Sequence, residues 1–249
     1  MKQSLLAAAL MAAALPVAAA DNPLTGNLTL TTDYKFRGFT QTNYKAALQG
    51  GLDYALPGGF YVGNWNSSVE QSLYGGASLE SDVYGGYKGK MGGLDLDVGA
   101  IHYMYPGSTM SGGPKIENTE VYFGVTAGPV AAKLYYAVSD YFSFGKLMGG
   151  PKTDGTIYLD LSANQDLGGG WALNAHVGVL RLKEAAAYKL PTNVTDYKIG
   201  VSKDFSGWVL GLAYVGTNDK DFFTTGVMTG MPARSAGDAK AMLSVTKTF

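Results

Sequence analysis

The amino-acid sequence predicts an all-β protein, a transmembrane antiparallel up-and-down β-barrel of about twelve strands. Three observations carry that prediction. After residue 20, five tight Gly/Pro-rich turns alternate with six longer polar connections, cutting the chain into segments of about ten residues that alternate apolar and polar. Aromatic residues gather at the ends of those segments. The chain closes on Leu243-Ser244-Val245-Thr246-Lys247-Thr248-Phe249, an alternating run with a terminal aromatic.

Residues 1–20 read as a cleaved secretory signal peptide. Lys2 supplies the positive start, Leu5 to Leu15 the apolar stretch, and Ala18-Ala19-Ala20 the small-residue site before Asp21. The apolar run is shorter than the roughly 20 residues an anchoring helix needs. Residues 21–249 are then the barrel domain, because a closed barrel is the other structure that satisfies its backbone groups in lipid.

The first strand shows period two most clearly. Leu28, Leu30, Thr32, Tyr34 and Phe36 fall on one face, and Asn27, Thr29, Thr31, Asp33, Lys35 and Arg37 on the other. Leu48, Gly50, Leu52 and Tyr54 alternate with Gln49, Gly51 and Asp53 in the second; later runs include Val130 to Val138, Ile157 to Asn164, Leu173 to Val179 and Ala241 to Val245. The tight turns are Pro57 to Gly59, Gly89 to Gly93, Gly128-Pro129, Leu167 to Gly170 and Asp204 to Gly207. Alternation alone also suits a soluble sandwich. Segment length favours the barrel, since a bilayer demands roughly 9 to 11 tilted residues per strand. The aromatics fall into two bands as interfacial girdles require: Tyr34, Phe36, Tyr103, Tyr105, Tyr141 and Phe142 near the long loops, and Tyr54, Phe60, Tyr61, Tyr87, Trp171, Phe205 and Trp208 near the short turns. An even strand number places both termini on the short-turn side, the periplasm. Twelve tilted strands give a backbone radius of roughly 12 Å, leaving a slender channel once side chains are added.

Composition narrows the function. The chain has no cysteine, so neither disulfides nor thiolate chemistry contribute. Its 35 glycines among 249 residues are about twice the usual share, many of them inside the alternating segments. Removing Lys2 with the leader leaves 18 basic against 20 acidic residues, a balance that does not call for a nucleic-acid partner.

Gly26 to Thr42, GNLTLTTDYKFRGFTQT, and the following ALQGGLDYALPGGFYVGNWNSSV resemble the TorF-like outer-membrane porins of proteobacteria. Tyr103-Met104-Tyr105-Pro106-Gly107, Ser139-Asp140-Tyr141-Phe142 and Thr246-Lys247-Thr248-Phe249 extend the likeness along the mature chain. Thr-Asp-Tyr-Lys-Phe stands where Ser-Asp-Tyr and a valine before the Phe are more usual. The resemblance implies a porin-type barrel in the outer membrane of a Gram-negative bacterium, surrounded by lipid and lipopolysaccharide. It also implies that the barrel assembly machinery reads Leu243, Val245 and Phe249 as an assembly signal. No substrate comes with it.

Catalysis is not expected. A lipid-modifying barrel would place a histidine and a serine two residues apart on one strand, whereas His102 precedes Met104 and His176 precedes Gly178 at that spacing. By parity His176 points inward beside Asn174 and His102 towards lipid. Glu80 with Asp82, and Asp95 with Asp97, share faces at about 7 Å between Cα atoms. The hairpin between them sends one pair to the loop end and the other to the turn end, so no four-carboxylate metal site forms, and pore lining is the expected role. The glycine runs precede no helix and cradle no phosphate, so no cofactor is expected. Asp33, Lys35, Arg37, Asp53, Asp82, Asp97, Lys133, Asp160 and Lys198 are the expected pore-lining residues. The full inward set adds Glu80, Asp95, Glu120 and Asp196 to the acids and Lys88 and Lys240 to the bases, a slight acidic excess that favours cations weakly. Arg37 is either a solvated rim charge or a constriction paired with lumen carboxylates. The expected function is passive diffusion of small polar solutes or ions. The alternatives are a non-conducting barrel whose loops bind a surface partner and, behind it, a lipid-modifying enzyme.

Overall fold

A computed structural model describes residues 23–109, 113–225 and 234–249; the expected leader and its processing site lie outside them. In chain order the strands are β1 (Leu24–Thr31), β2 (Lys35–Phe36), β3 (Phe39–Thr40), β4 (Ala47–Ala55), β5 (Phe60–Ser68), β6 (Leu79–Met91), β7 (Leu94–Met104), β8 (Glu117–Ala127), β9 (Val130–Ala137), β10 (Ile157–Gly168), β11 (Trp171–Arg181), β12 (Asn193–Phe205), β13 (Trp208–Thr217), β14 (Thr224–Thr225), β15 (Arg234–Ser235) and β16 (Lys240–Thr248). Twelve of them, β1, β4 to β13 and β16, form one closed antiparallel barrel. The small ribbons β2–β3 and β14–β15 lie within loops.

The seam joins the two ends of the chain. Asn27 to Thr31 pair with Thr248 to Ser244, and the Gly26 N–H donates to the Phe249 carbonyl at 2.7 Å while the Phe249 N–H donates back at 3.0 Å. Every backbone edge is thereby paired, which is what a strand needs in lipid. The five short connections fall at the expected turns, and six longer loops, L1 (32–46), L2 (69–78), L3 (105–116), L4 (138–156), L5 (182–192) and L6 (218–239), emerge at the other end.

Alternation sets the facing. Leu28, Leu30, Leu52, Leu161, Val177, Ile199, Leu212 and Leu243 are exposed on the outer wall, and their neighbours in sequence turn inward. Tyr54, Phe60, Tyr87, Trp171, Phe205 and Trp208 are exposed around the short-turn end, as a girdle requires. Tyr61 is the exception there, buried on the inner face. The expected second band is overturned. Tyr34, Tyr103, Tyr105 and Tyr141 are buried, and Phe36 packs against Tyr103 and Phe142 inside the barrel. The first strand is also shorter than its pattern, because the chain leaves the wall after Thr31 and turns inward.

Several wall glycines make room for inward tyrosines. A Cβ at Gly63 would collide with the Tyr84 ring, one at Gly99 with Tyr122, and one at Gly178 with Tyr158. Each ring reaches over a neighbouring strand at a position where only glycine leaves space.

Candidate functional site: a lumen crossed by the first loop

L1 folds into the barrel as a hairpin. Lys35 pairs with Thr40 and Phe36 with Phe39, and the two residues between them, Arg37 and Gly38, both have positive φ (49° and 84°). That is the backbone requirement of a tight two-residue hairpin whose twist matches its strands. Asp33 holds the base: its Oδ1 accepts from the Thr40 hydroxyl at 2.6 Å and the Thr42 hydroxyl at 2.8 Å. Lys35 reaches the Asp238 carbonyl of L6 at 2.8 Å.

Arg37, at the tip, spans the lumen from the β1–β4 side to β8. Its guanidinium makes a forked pair with Glu120, at 2.9 and 2.7 Å, and donates to the Tyr141 hydroxyl of L4 at 3.0 Å. The rings of Tyr158 and Phe36 lie 4.2 and 4.7 Å from its central carbon. Arg37 is 3% exposed and Glu120 1%, so the pair is sheltered from water and its hydrogen bonds are charge-assisted. Of the two expected settings of Arg37, a solvated rim and a pairing with a lumen carboxylate, the described side chains have the pairing.

Two further polar clusters line the wall. His176 Nδ1 lies 3.1 Å from Asp160 and its Nε2 2.7 Å from Asp196, which also accepts from the Tyr158 hydroxyl at 3.0 Å. With both ring nitrogens held by carboxylates, the imidazole has none left to activate Ser162 on the facing strand. Nearer the short-turn end, Asp97 accepts from Lys133 at 2.7 Å and Tyr61 at 2.6 Å, and Asp53 accepts from Tyr84 at 2.8 Å. Lys198 faces inward beside His176.

Glu80 and Asp82 differ from these. They are 1% and 4% exposed; Glu80 Oε1 accepts from Tyr34 at 3.2 Å, whereas Glu80 Oε2 and Asp82 Oδ1 have no partner. No lysine or arginine among the described residues forms an ion pair with either. Among the described residues no group of three or more His, Cys, Asp or Glu is placed to hold a metal. Inward facing on consecutive strands was readable for Asp160, His176 and Asp196, though not their pairing. The contribution of Tyr141 was not, because it comes from a loop.

A family model described as "Bacterial protein of unknown function (Gcw_chp)" matches residues 17–249. The chain belongs to this family. No curated protein matches the Gcw_chp chain in sequence. In structure it is similar to the KdgM porin, at a TM-score of 0.53 and 7% identity over 90% of this chain and 99% of that one. It is also similar to the NanC porin, at 0.53 and 8% identity over 91% and 98%. A KdgM porin in complex with disordered oligogalacturonate matches at 0.52 and 7% identity over 91% and 98%. At these identities the likeness is one of fold: this Gcw_chp chain shares a porin-type twelve-strand barrel.

Proposed function

We propose that the protein is an outer-membrane channel for passive diffusion of small polar solutes or ions, narrowed by the L1 hairpin. The carrying observation is a closed wall with an apolar outer and polar inner face, crossed by one loop tied to the far side through Arg37 and Glu120. In this reading the leader exports the chain, Leu243, Val245 and Phe249 serve the assembly machinery, and lipopolysaccharide surrounds the extracellular half. The TorF-like likeness of the first third belongs to the same reading. Asp33 and Lys35 brace the hairpin, while Arg37, Asp53, Asp97, Lys133, Asp160 and Lys198 set the charge along the path. The acidic excess favours neutral or cationic solutes, unlike the polyanion named with the KdgM complex.

The rival of a non-conducting barrel draws support from the packing of Phe39, Tyr141, Phe222 and Ala236 at the loop end. Single-channel recording in planar bilayers separates the two. The wild type should give small, defined steps, and replacing residues 35–40 by a short Gly-Ser turn should enlarge them several-fold. Silence from both proteins would reject the channel.

A further inference from the structure

The outer wall is not uniform. On β9 to β13, β16 and β1 the outward side chains between the rims are almost wholly apolar, among them Leu134, Leu159, Leu161, Val177, Ile199, Leu210, Leu212, Val245 and Leu30. On β5 to β8 the same outward parity carries Asn64, Asn66, Ser81, His102 and Thr119. These residues are contiguous: Asn66 faces Ser81, Asn64 faces Val83, Val83 faces His102, and His102 faces Thr119.

Their depth makes them costly in lipid. At a tilt of about 40° each residue climbs roughly 2.5 Å along the barrel axis. Asn64 and Asn66 lie four and six residues beyond Phe60 of the short-turn girdle, or about 10 and 15 Å into an apolar band about 25 Å tall. Lipid offers only acyl chains there, so polar groups must find protein partners. Local bonds meet part of the demand: Asn64 donates to the Asp82 carbonyl at 2.8 Å, Asn66 donates to Asn64, and His102 Nδ1 lies 2.9 Å from the Thr119 hydroxyl. The Asn66 side-chain carbonyl accepts from no neighbour among the described residues.

We propose that the β5–β8 face is where a second copy of this chain docks, forming a side-by-side assembly of barrels. Carboxamides, hydroxyls and an imidazole each donate and accept, so the patch is complementary to itself under a two-fold axis. Gly50, Gly85 and Ala100, outward beside these groups, let two walls approach closely. No charge on the outer face of this patch opposes contact; Glu117 stands at its extracellular rim. A lipopolysaccharide molecule is the rival occupant, and it fits less well because its polar groups do not reach the depth of Asn64.

The chain contains no cysteine, so single cysteines report contacts cleanly. Ser81→Cys, Val83→Cys and Ala100→Cys are placed on the patch, with Leu212→Cys on the opposite wall as control, and outer-membrane vesicles are mildly oxidised. At least one patch variant should run largely at twice the chain mass, with Leu212→Cys at least tenfold less. Adding Asn64→Leu and Asn66→Leu to the responsive variant should reduce its cross-linking at least tenfold while heat-modifiable folding persists. Failure of all three patch cysteines, equal cross-linking at Leu212→Cys, or cross-linking unchanged by the leucine replacements overturns the proposal. Cross-linking needs no conduction, so the result stands apart from the channel reading.

Discussion

Arg37 illustrates how one residue organises the lumen. Its guanidinium would be expensive to bury alone, and the forked Glu120 carboxylate, the Tyr141 hydroxyl and the surrounding rings supply what water otherwise would. Removing one partner leaves the other charged and unpaired, so Arg37→Ala should destabilise the barrel by about 3 to 5 kcal/mol. The double variant Arg37→Met, Glu120→Gln should recover most of that loss, because it leaves no orphan charge. Urea unfolding in lipid vesicles measures both; equal losses in the single and double variants would mean that the pair is not what holds L1. The sequence placed Arg37 on the inward parity and offered Glu120 among several acids, but could not choose between them. Choosing required knowing that Arg37 and Gly38 turn the chain, and that depends on backbone angles rather than on periodicity.

Among the elements, strands were legible and loops were not. Period two identifies a wall strand because one face meets lipid and the other the lumen, so the turn positions and facing of β4 and β10 followed directly from their residues. Facing has a direct test: Leu161→Arg, on the outer wall near mid-depth, should cost about 2 to 4 kcal/mol, and Ser162→Arg much less. Equal costs in vesicle unfolding would reverse the assignment. The same periodicity misplaced Tyr34 and Phe36, since alternation continues past Thr31 while the chain has already left the wall. L4 shows what organises such a segment. Burial would raise the Asp140 carboxyl, but N–H groups of Thr153, Lys146 and Gly145 and the Thr153 hydroxyl outweigh it and hold it below its ordinary value. A lowered carboxyl contributes stability that is complete above its unfolded value near 3.8 and is lost as pH falls through the folded one. Amide exchange at Thr153 and Lys146 should therefore stay slow down to about pH 4 and accelerate below it, and Asp140→Asn should weaken protection already at neutral pH. Protection that is unchanged in the variant would assign the order of L4 to its aromatic packing instead.

Across the whole barrel, several inward charges are paired within the wall. Arg37 serves Glu120, Lys133 serves Asp97, and His176 joins Asp160 to Asp196. The net count read from the sequence weighted these acids equally with Glu80 and Asp82, although paired charges largely cancel at a distance. Glu80 and Asp82, 1% and 4% exposed, are shut away from the aqueous path, whereas Asp53 is half-exposed on the inner wall and bonded to Tyr84, so its field is the one a passing ion meets. A weak cation preference should follow, strongest at low salt, because the screening length grows from about 8 Å near physiological ionic strength to about 30 Å at 0.01 M. Asp53→Asn should reduce it, whereas Glu80→Gln with Asp82→Asn should change it little, since those two carboxyls are buried away from the path. Reversal potentials across a salt gradient read this directly: an anion-selective wild type, or a preference that survives Asp53→Asn, would show that the lysines rather than this carboxylate govern the path.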